Sequence, residues 1–393
     1  MRFLNLKKYS NDFFSFIYST DEELIYTTKR KINEKDMFFI CSYNLKKDLE
    51  KVIKKFEIVD TSYYDYKIFY RDNIFFILNK KNNILNVSRI EFKNNDTKET
   101  LYNIYLEGQV KHINIVNERY FIVFIEKADL LGWKFDRYLS GRTFRYKFAY
   151  LIDLYEVESY FIKDVKFALG ARDYIQLENI NGEDVIFFEE AYREAWEKEF
   201  YYFRGFFDNE KRIKQENSVN YIKFSEFIES IKLGKEVLKV KVVDTIDKNG
   251  VIRYLGSDND KLYYRKKYFE SGNEKVYSIE KDSGTIIEVC NIEHNEHDGD
   301  FYYDSDKSII FYEEELDDRI RVQGIFNRDF DITYNNCLGG FEDFIDNRYL
   351  ITYYSDDIDG EYFNYAVIKD IVENREYEYE GQIRCLGNYV ILY

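Results

Sequence analysis

Proline is missing altogether from this chain of 393 residues, and histidine (3), tryptophan (2) and methionine (2) are scarce. At average usage near 5%, about twenty prolines would be expected. Strand interiors exclude proline, but hairpin loops normally use it. Its complete absence therefore reflects an AT-rich coding bias, which also enriches Lys, Ile, Asn, Tyr and Phe, as well as the fold. The four cysteines, Cys41, Cys290, Cys337 and Cys385, form no C-x-x-C pair. The last three lie 47 and 48 positions apart and read as small buried hydrophobes at matching positions of a repeat. No run approaches the roughly 18 apolar residues of a membrane span. The first residues, Met1 to Tyr9, contain no continuous apolar stretch of the signal-peptide kind, so cytoplasmic residence without membrane insertion is expected. A net charge of −16 repels phosphate backbones and excludes nucleic acid as an expected partner. G-x-S-x-G, Walker and G-x-G-x-x-G motifs are absent, and the strand residue His112 has no identifiable nucleophilic partner. No cofactor is expected.

Aromatic residues, by contrast, make up 19% of the chain, with 39 Tyr and 34 Phe. Such residues suit a pleated, half-buried surface, so the composition favours strands. Eight stretches read as copies of one hairpin: Phe16–Thr28, Tyr66–Lys80, His112–Lys127, Tyr174–Glu190, Val251–Lys266, Phe301–Glu314, Phe341–Ser355 and Ile383–Tyr393. Each sets a few apolar residues before a polar turn such as Asn117-Glu118, Asp258-Asn259 or Asp346-Asn347, and a second strand completes it. Most recur every roughly 40 to 60 residues, the spacing of stacked or radial repeats. A second strand pair follows most copies, as in Met37–Asn44 with Glu50–Val59 or Tyr362–Asp370 with Arg375–Glu380. The unit is thus four antiparallel strands, A to D.

In this repeat architecture the chain resembles the β-propeller superfamily. It carries no Gly-His…Trp-Asp signature of WD40 repeats and resembles no narrower family. Seven complete units and a final A–B hairpin give an all-β propeller, 1–393, with eight blades favoured over seven. The leading segment Arg2–Lys8 alternates as a strand, and its pairing with the C-terminal hairpin would close the eighth blade and remove the open edges. Two insertions interrupt the repeat, at about 128–146 and 191–236. The second carries helical patterns at Glu189–Phe200 and at Ser225–Leu233, where Ser225 is the expected cap. Placed in B–C connections, both insertions would emerge on one face.

Trp133, Arg137, Arg142, Tyr192 and Trp196 lie in these insertions and combine the residue types that anchor interfaces. The leading functional expectation is accordingly a non-catalytic scaffold that docks a protein partner on that face. Packing of both indoles against the blade edges explains the same residues equally well. The alternative is an enzyme or binding protein for a carbohydrate or other polar small molecule in the central channel. There, inner-strand aromatics such as Tyr66, Phe69, Tyr174, Tyr254, Tyr302 and Phe344 would stack on the ligand. His294 and His297 form an H-x-x-H pair flanked by carboxylates, a candidate divalent-metal site set against the plainer reading of a solvated loop. The acidic turn at Asp356–Glu361 fails the calcium-loop pattern, because Ser355 and Ala366 stand where ligands belong.

Overall fold

The computed structural model describes residues 2–6, 13–20, 22–57, 66–71, 74–81, 83–93, 96–126, 148–162, 175–190, 216–235, 240–247, 250–268, 270–293, 299–304, 309–326, 328–358, 361–386 and 389–393. Seven four-stranded antiparallel meanders follow one another in order, each with its strands in sequence order. The first comprises Phe13–Ser19, Glu23–Ile32, Lys35–Asn44 and Leu49–Glu57, and the second Tyr66–Arg71, Ile74–Lys81, Ile84–Lys93 and Asp96–Tyr105. The third has Gln109–Ile115, Tyr120–Glu126, Phe148–Asp153 and Glu158–Ile162, and the fourth Ile175–Ile180, Glu183–Glu190, Glu216–Lys223 and Lys241–Asp247. The next three occupy residues 250–292, 299–335 and 340–380. An eighth sheet has three strands, Ile383–Leu386, Tyr389–Leu392 and Arg2–Asn5. Arg2–Asn5 runs parallel to Tyr389–Leu392, with Arg2 beside Tyr389 and Asn5 beside Leu392. The fold is the eight-bladed propeller expected, with one blade built from both ends of the chain. No helix among the described residues is long and apolar enough to cross a membrane.

The chain divides into two compact units, residues 64–294 and residues 1–63 with 295–393. Strand alternation explains how each unit builds its core, since blades adjacent within a unit turn apolar faces toward one another. In residues 64–294, blades two and three share one layer, in which Phe76, Leu78 and Val87 meet Phe121, Val123 and Ile152. Blades three and four share a second layer and blades four and five a third. In the other unit, blades six and seven, seven and eight, and eight and one are joined in the same way.

The C–D turns are built to one plan. Asn44, Asp153 and Asp370 each end a C strand, and the side-chain oxygen of each accepts two N–H groups two and three residues on. These Asx turns set up four-residue loops whose last position is left-handed: Asp48, Val157 and Asn374 at φ 52°, 57° and 51°. Gly284 holds the corresponding place in blade five, at φ 66°.

The second expected helix is present at Phe224–Lys232, with Phe227 and Ile231 buried and Phe224 and Ile228 partly so, a spacing that fills one stripe. Two details differ from the sequence reading. Lys223 occupies the N-cap and no side chain caps the helix, so Ser225 does not play that part. Residues Glu216–Lys223 form the C strand of blade four, pairing with Glu183–Glu190. The helix therefore belongs to the C–D connection, which leaves the blade at the end opposite to the B–C insertions. The strand Glu216–Lys223 was hidden because its apolar residues are only Val219 and Tyr221 on one face and Ile222 on the other. The first expected helix, Glu189–Phe200, does not begin at Glu189: Glu189 and Glu190 end the B strand, paired with Val219 and Ser218, and the remainder lies outside the described residues.

Candidate functional site

The D strand of blade two alternates in burial. Tyr102, Ile104 and Leu106 pack toward blade three, while Leu101, Asn103 and Tyr105 are exposed. Leu106 is fixed just past the strand end, where its N–H donates to the Asn83 carbonyl at 2.9 Å. Glu107 follows and is exposed. Across from it stands the outer edge of blade three. There Tyr150 faces Phe161, and Ile152 faces Ser159, on neighbouring C and D strands. The rings of Tyr150 and Phe161 meet edge to face, with centroids 5.4 Å apart and planes at 62°, a favoured aromatic geometry.

Between these edges opens a cleft of about 450 Å³ lined by Tyr105, Glu107, Tyr150, Ser159 and Phe161. That volume falls in the range of small-ligand sites. Tyr150 is 7% exposed and forms part of the floor, whereas Tyr105 is 69% exposed. Three aromatic side chains, one hydroxyl and one carboxylate thus meet in one place. Aromatic faces accept the C–H faces of a pyranose ring, and a carboxylate and a hydroxyl can bind its hydroxyl groups. The lining contains one carboxylate, so it does not assemble the acid and base pair that glycoside hydrolysis requires.

On the opposite face of the same strands a dense ionic corner fixes blade three and the helix. Asp153 is fully buried. It accepts from Arg119 Nε and Nη2 at 2.8 and 2.7 Å, from Lys232 Nζ at 2.8 Å, and from the N–H groups of Tyr155 and Glu156. Burial by itself favours the protonated acid. The Arg119 fork, Lys232 and the backbone donors outweigh it and hold the carboxyl well below its ordinary value. Lys232 also meets Glu156 at 2.6 Å and lies over the Tyr160 and Tyr120 rings. Every group is engaged, so the corner positions the helix and offers no reactive atom. Blade seven repeats it with Arg348, Tyr349, Asp370, Glu373 and Tyr377 at matching positions. There Arg375, bound to Glu373 at 3.0 Å, supplies the second cation that Lys232 supplies in blade three. The buried Glu178 of blade four is likewise committed, to Lys281 at 2.8 Å and to the Ser257 and Tyr254 hydroxyls at 2.6 and 3.2 Å.

Trp133, Arg137, Arg142, Tyr192 and Trp196 lie outside the described residues, as do His294 and His297. Among the described residues no group of three or more His, Cys, Asp or Glu side chains could hold a metal ion. The inner-strand aromatics do not form one surface. Tyr254 and Phe344 are buried in separate inter-blade cores, and Phe69 packs partly into a third. Tyr302 is 39% exposed and stacks on Phe311. Tyr174 lies outside the described residues. The five cleft residues carry no motif, because two adjacent blades supply them.

No family model matches the chain, and no curated protein matches it. Solved structures similar to it include an oligogalacturonate lyase in complex with manganese, 11% identical, covering 88% of this chain and 85% of that one at a TM-score of 0.46. The periplasmic gluconolactonase of Pseudomonas aeruginosa is 8% identical, over 92% and 95% of the two chains, with a TM-score of 0.40. The β-propeller domain of the Trilobed protease from Pyrococcus furiosus is 8% identical, over 93% and 97%, also at 0.40. At these identities the likeness is one of fold. The expectation of a non-catalytic protein-docking scaffold is nonetheless corrected. Of the similar propellers, two are named as an oligogalacturonate lyase and a gluconolactonase, not as protein-docking scaffolds.

Proposed function

We propose that this chain binds a carbohydrate, or a small molecule of similar polarity, in the cleft between blades two and three. One observation carries the reading: Tyr105, Tyr150 and Phe161 converge with the Glu107 carboxylate and the Ser159 hydroxyl around about 450 Å³. Aromatic rings beside placed polar groups suit a ligand that is itself polar. The site differs from the central channel of the sequence reading, since its residues come from outer C and D strands and the turn beyond them.

Titration calorimetry with a panel of neutral hexoses, their amino and uronic-acid counterparts, and short oligosaccharides tests the reading. Tyr105→Ala is the informative variant, because an exposed ring can be removed without opening the core. Loss of one aromatic contact, about 0.5–1.5 kcal/mol, corresponds to a two- to tenfold weaker Kd. A panel without any binder, or equal binding by Tyr105→Ala and the wild type, refutes the proposal.

A further inference from the structure

We infer that Glu313 makes the packing of blade six on blade seven sensitive to pH, tight while its carboxyl is neutral and looser once it ionises. The inference is independent of the cleft. Glu313 is the fifth residue of its B strand, Ile309–Leu316. The fifth residue is Leu78 in the B strand of blade two and Phe124 in that of blade three, and both are buried between blades. Blade six therefore sets a carboxyl where two other blades set a core side chain.

Register and alternation place Glu313 in the layer shared with blade seven. It stands opposite Val322, and Phe311, two residues back, shares its face. Val322 and Phe311 belong to the core in which Phe330 and Tyr334 meet Phe341 and Phe344. Glu313 is partly buried, and among the described residues no hydrogen bond or ion pair reaches it. On its own strand the exposed Glu315 carries a like charge. Asp300 stands opposite on the A strand. On the D strand, Tyr334 feels the Glu313 charge and donates to the Gly339 carbonyl at 3.3 Å. From blade seven, Tyr353 lies within the field of both Glu342 and Glu313, and Glu342 accepts the Cys385 N–H at 2.9 Å. Arg328 and Lys369 are bound to other acids, Asp343 and Glu376, each at 2.6 Å.

Ionising Glu313 leaves a carboxylate stripped of part of its water with no donor in exchange. Burial therefore raises its affinity for the proton above that of an ordinary glutamate, and the Glu315 charge adds to the effect. The folded carboxyl holds its proton to higher pH than the unfolded one. The stability it lends is complete below the ordinary glutamate value, about pH 4, and is lost as pH rises through the raised value. Above that, an ionised Glu313 draws water into the edge of the layer.

Native-state hydrogen exchange of the full chain tests the inference, read as protection of residues 309–316 and 349–358 at about pH 5 and about pH 8 and corrected for the intrinsic exchange rate. Wild-type protection there should fall by about threefold or more across that interval, while residues 74–81 and 120–126, which flank the layer holding Leu78, keep theirs. Glu313→Gln, neutral at both pH values, should remove the fall. Glu313→Leu, which copies blade two, should remove it and raise protection at the higher pH. Unchanged wild-type protection, a fall of equal size in both layers, or a fall that persists in either variant overturns the inference.

Discussion

The buried Asp153 makes the strongest claim on stability. It accepts from five donors, namely two nitrogens of Arg119, Nζ of Lys232 and the N–H groups of Tyr155 and Glu156. Asp153→Ala would leave the two cations with the exposed Glu156 as their shared carboxylate. Removing one partner of a buried ion pair costs about 3–5 kcal/mol. Arg119 and Lys232 keep 31% and 24% of their side-chain exposure, so solvent screens the orphaned charges and the lower figure, about 3 kcal/mol, is expected. Because the Asp153 carboxyl titrates below its ordinary value when folded, its contribution is complete above about pH 4. It fades as acid protonates the folded state, so wild type and Asp153→Asn should converge in stability below that pH. Urea unfolding followed by far-UV circular dichroism gives the stability difference, and hydrogen exchange over residues 224–232 reports whether the helix has come loose. Asp370→Ala in the matching corner of blade seven, where no helix docks, should cost less and leave exchange in that helix unchanged. A loss under about 1 kcal/mol for Asp153→Ala, or unaltered exchange in the helix, refutes the account.

Three further outcomes follow from local geometry. Val157, a β-branched residue at φ 57°, is strained where blade five has glycine; Val157→Gly should raise stability by about 1 kcal/mol in the same urea assay. Gly339, at φ 87°, would place a Cβ 2.1 Å from the Tyr353 carbonyl oxygen, so Gly339→Ala should lose about 3 kcal/mol or more, read as a lowered urea midpoint. Burial, with help from the Glu50 charge, pushes the Cys41 thiol up to about 12. Under native conditions at pH 8, a thiol reagent should label the exposed Cys337 and spare Cys41.

Much of the scaffold was legible because its signals are local. The turn Asn117-Glu118 announces a hairpin, and Asn117 Oδ1 does accept the N–H groups of Arg119 and Tyr120. The apolar run Tyr120–Phe124 after it declares a strand buried on both faces. The helix was visible in the spacing of Phe227, Ile228 and Ile231, while its place in the blade was not, since the strand before it is short of apolar residues. The candidate site left almost no trace. Tyr105 and Phe161 are 56 positions apart, and only the packing of two blades brings them to one cleft. Aromatics are so common in this chain that their type carries no information; the exposure of Tyr105 does, and exposure is set by neighbours that no local pattern names.

The parallel pairing of Arg2–Asn5 with Tyr389–Leu392 joins residues 387 positions apart. Closing a loop of that length costs about 5 kcal/mol of chain entropy, against little for a hairpin such as Ile180 with Glu183. During synthesis the meanders emerge one at a time and can pair as they appear. Blade one cannot finish in that order. Its Leu24, Tyr26 and Tyr43 pack against Leu6 and Ile391, so the first blade to leave the ribosome is among the last to be buried. Until residues 383–393 have been made, that face stays open to chaperones, proteases and other nascent chains.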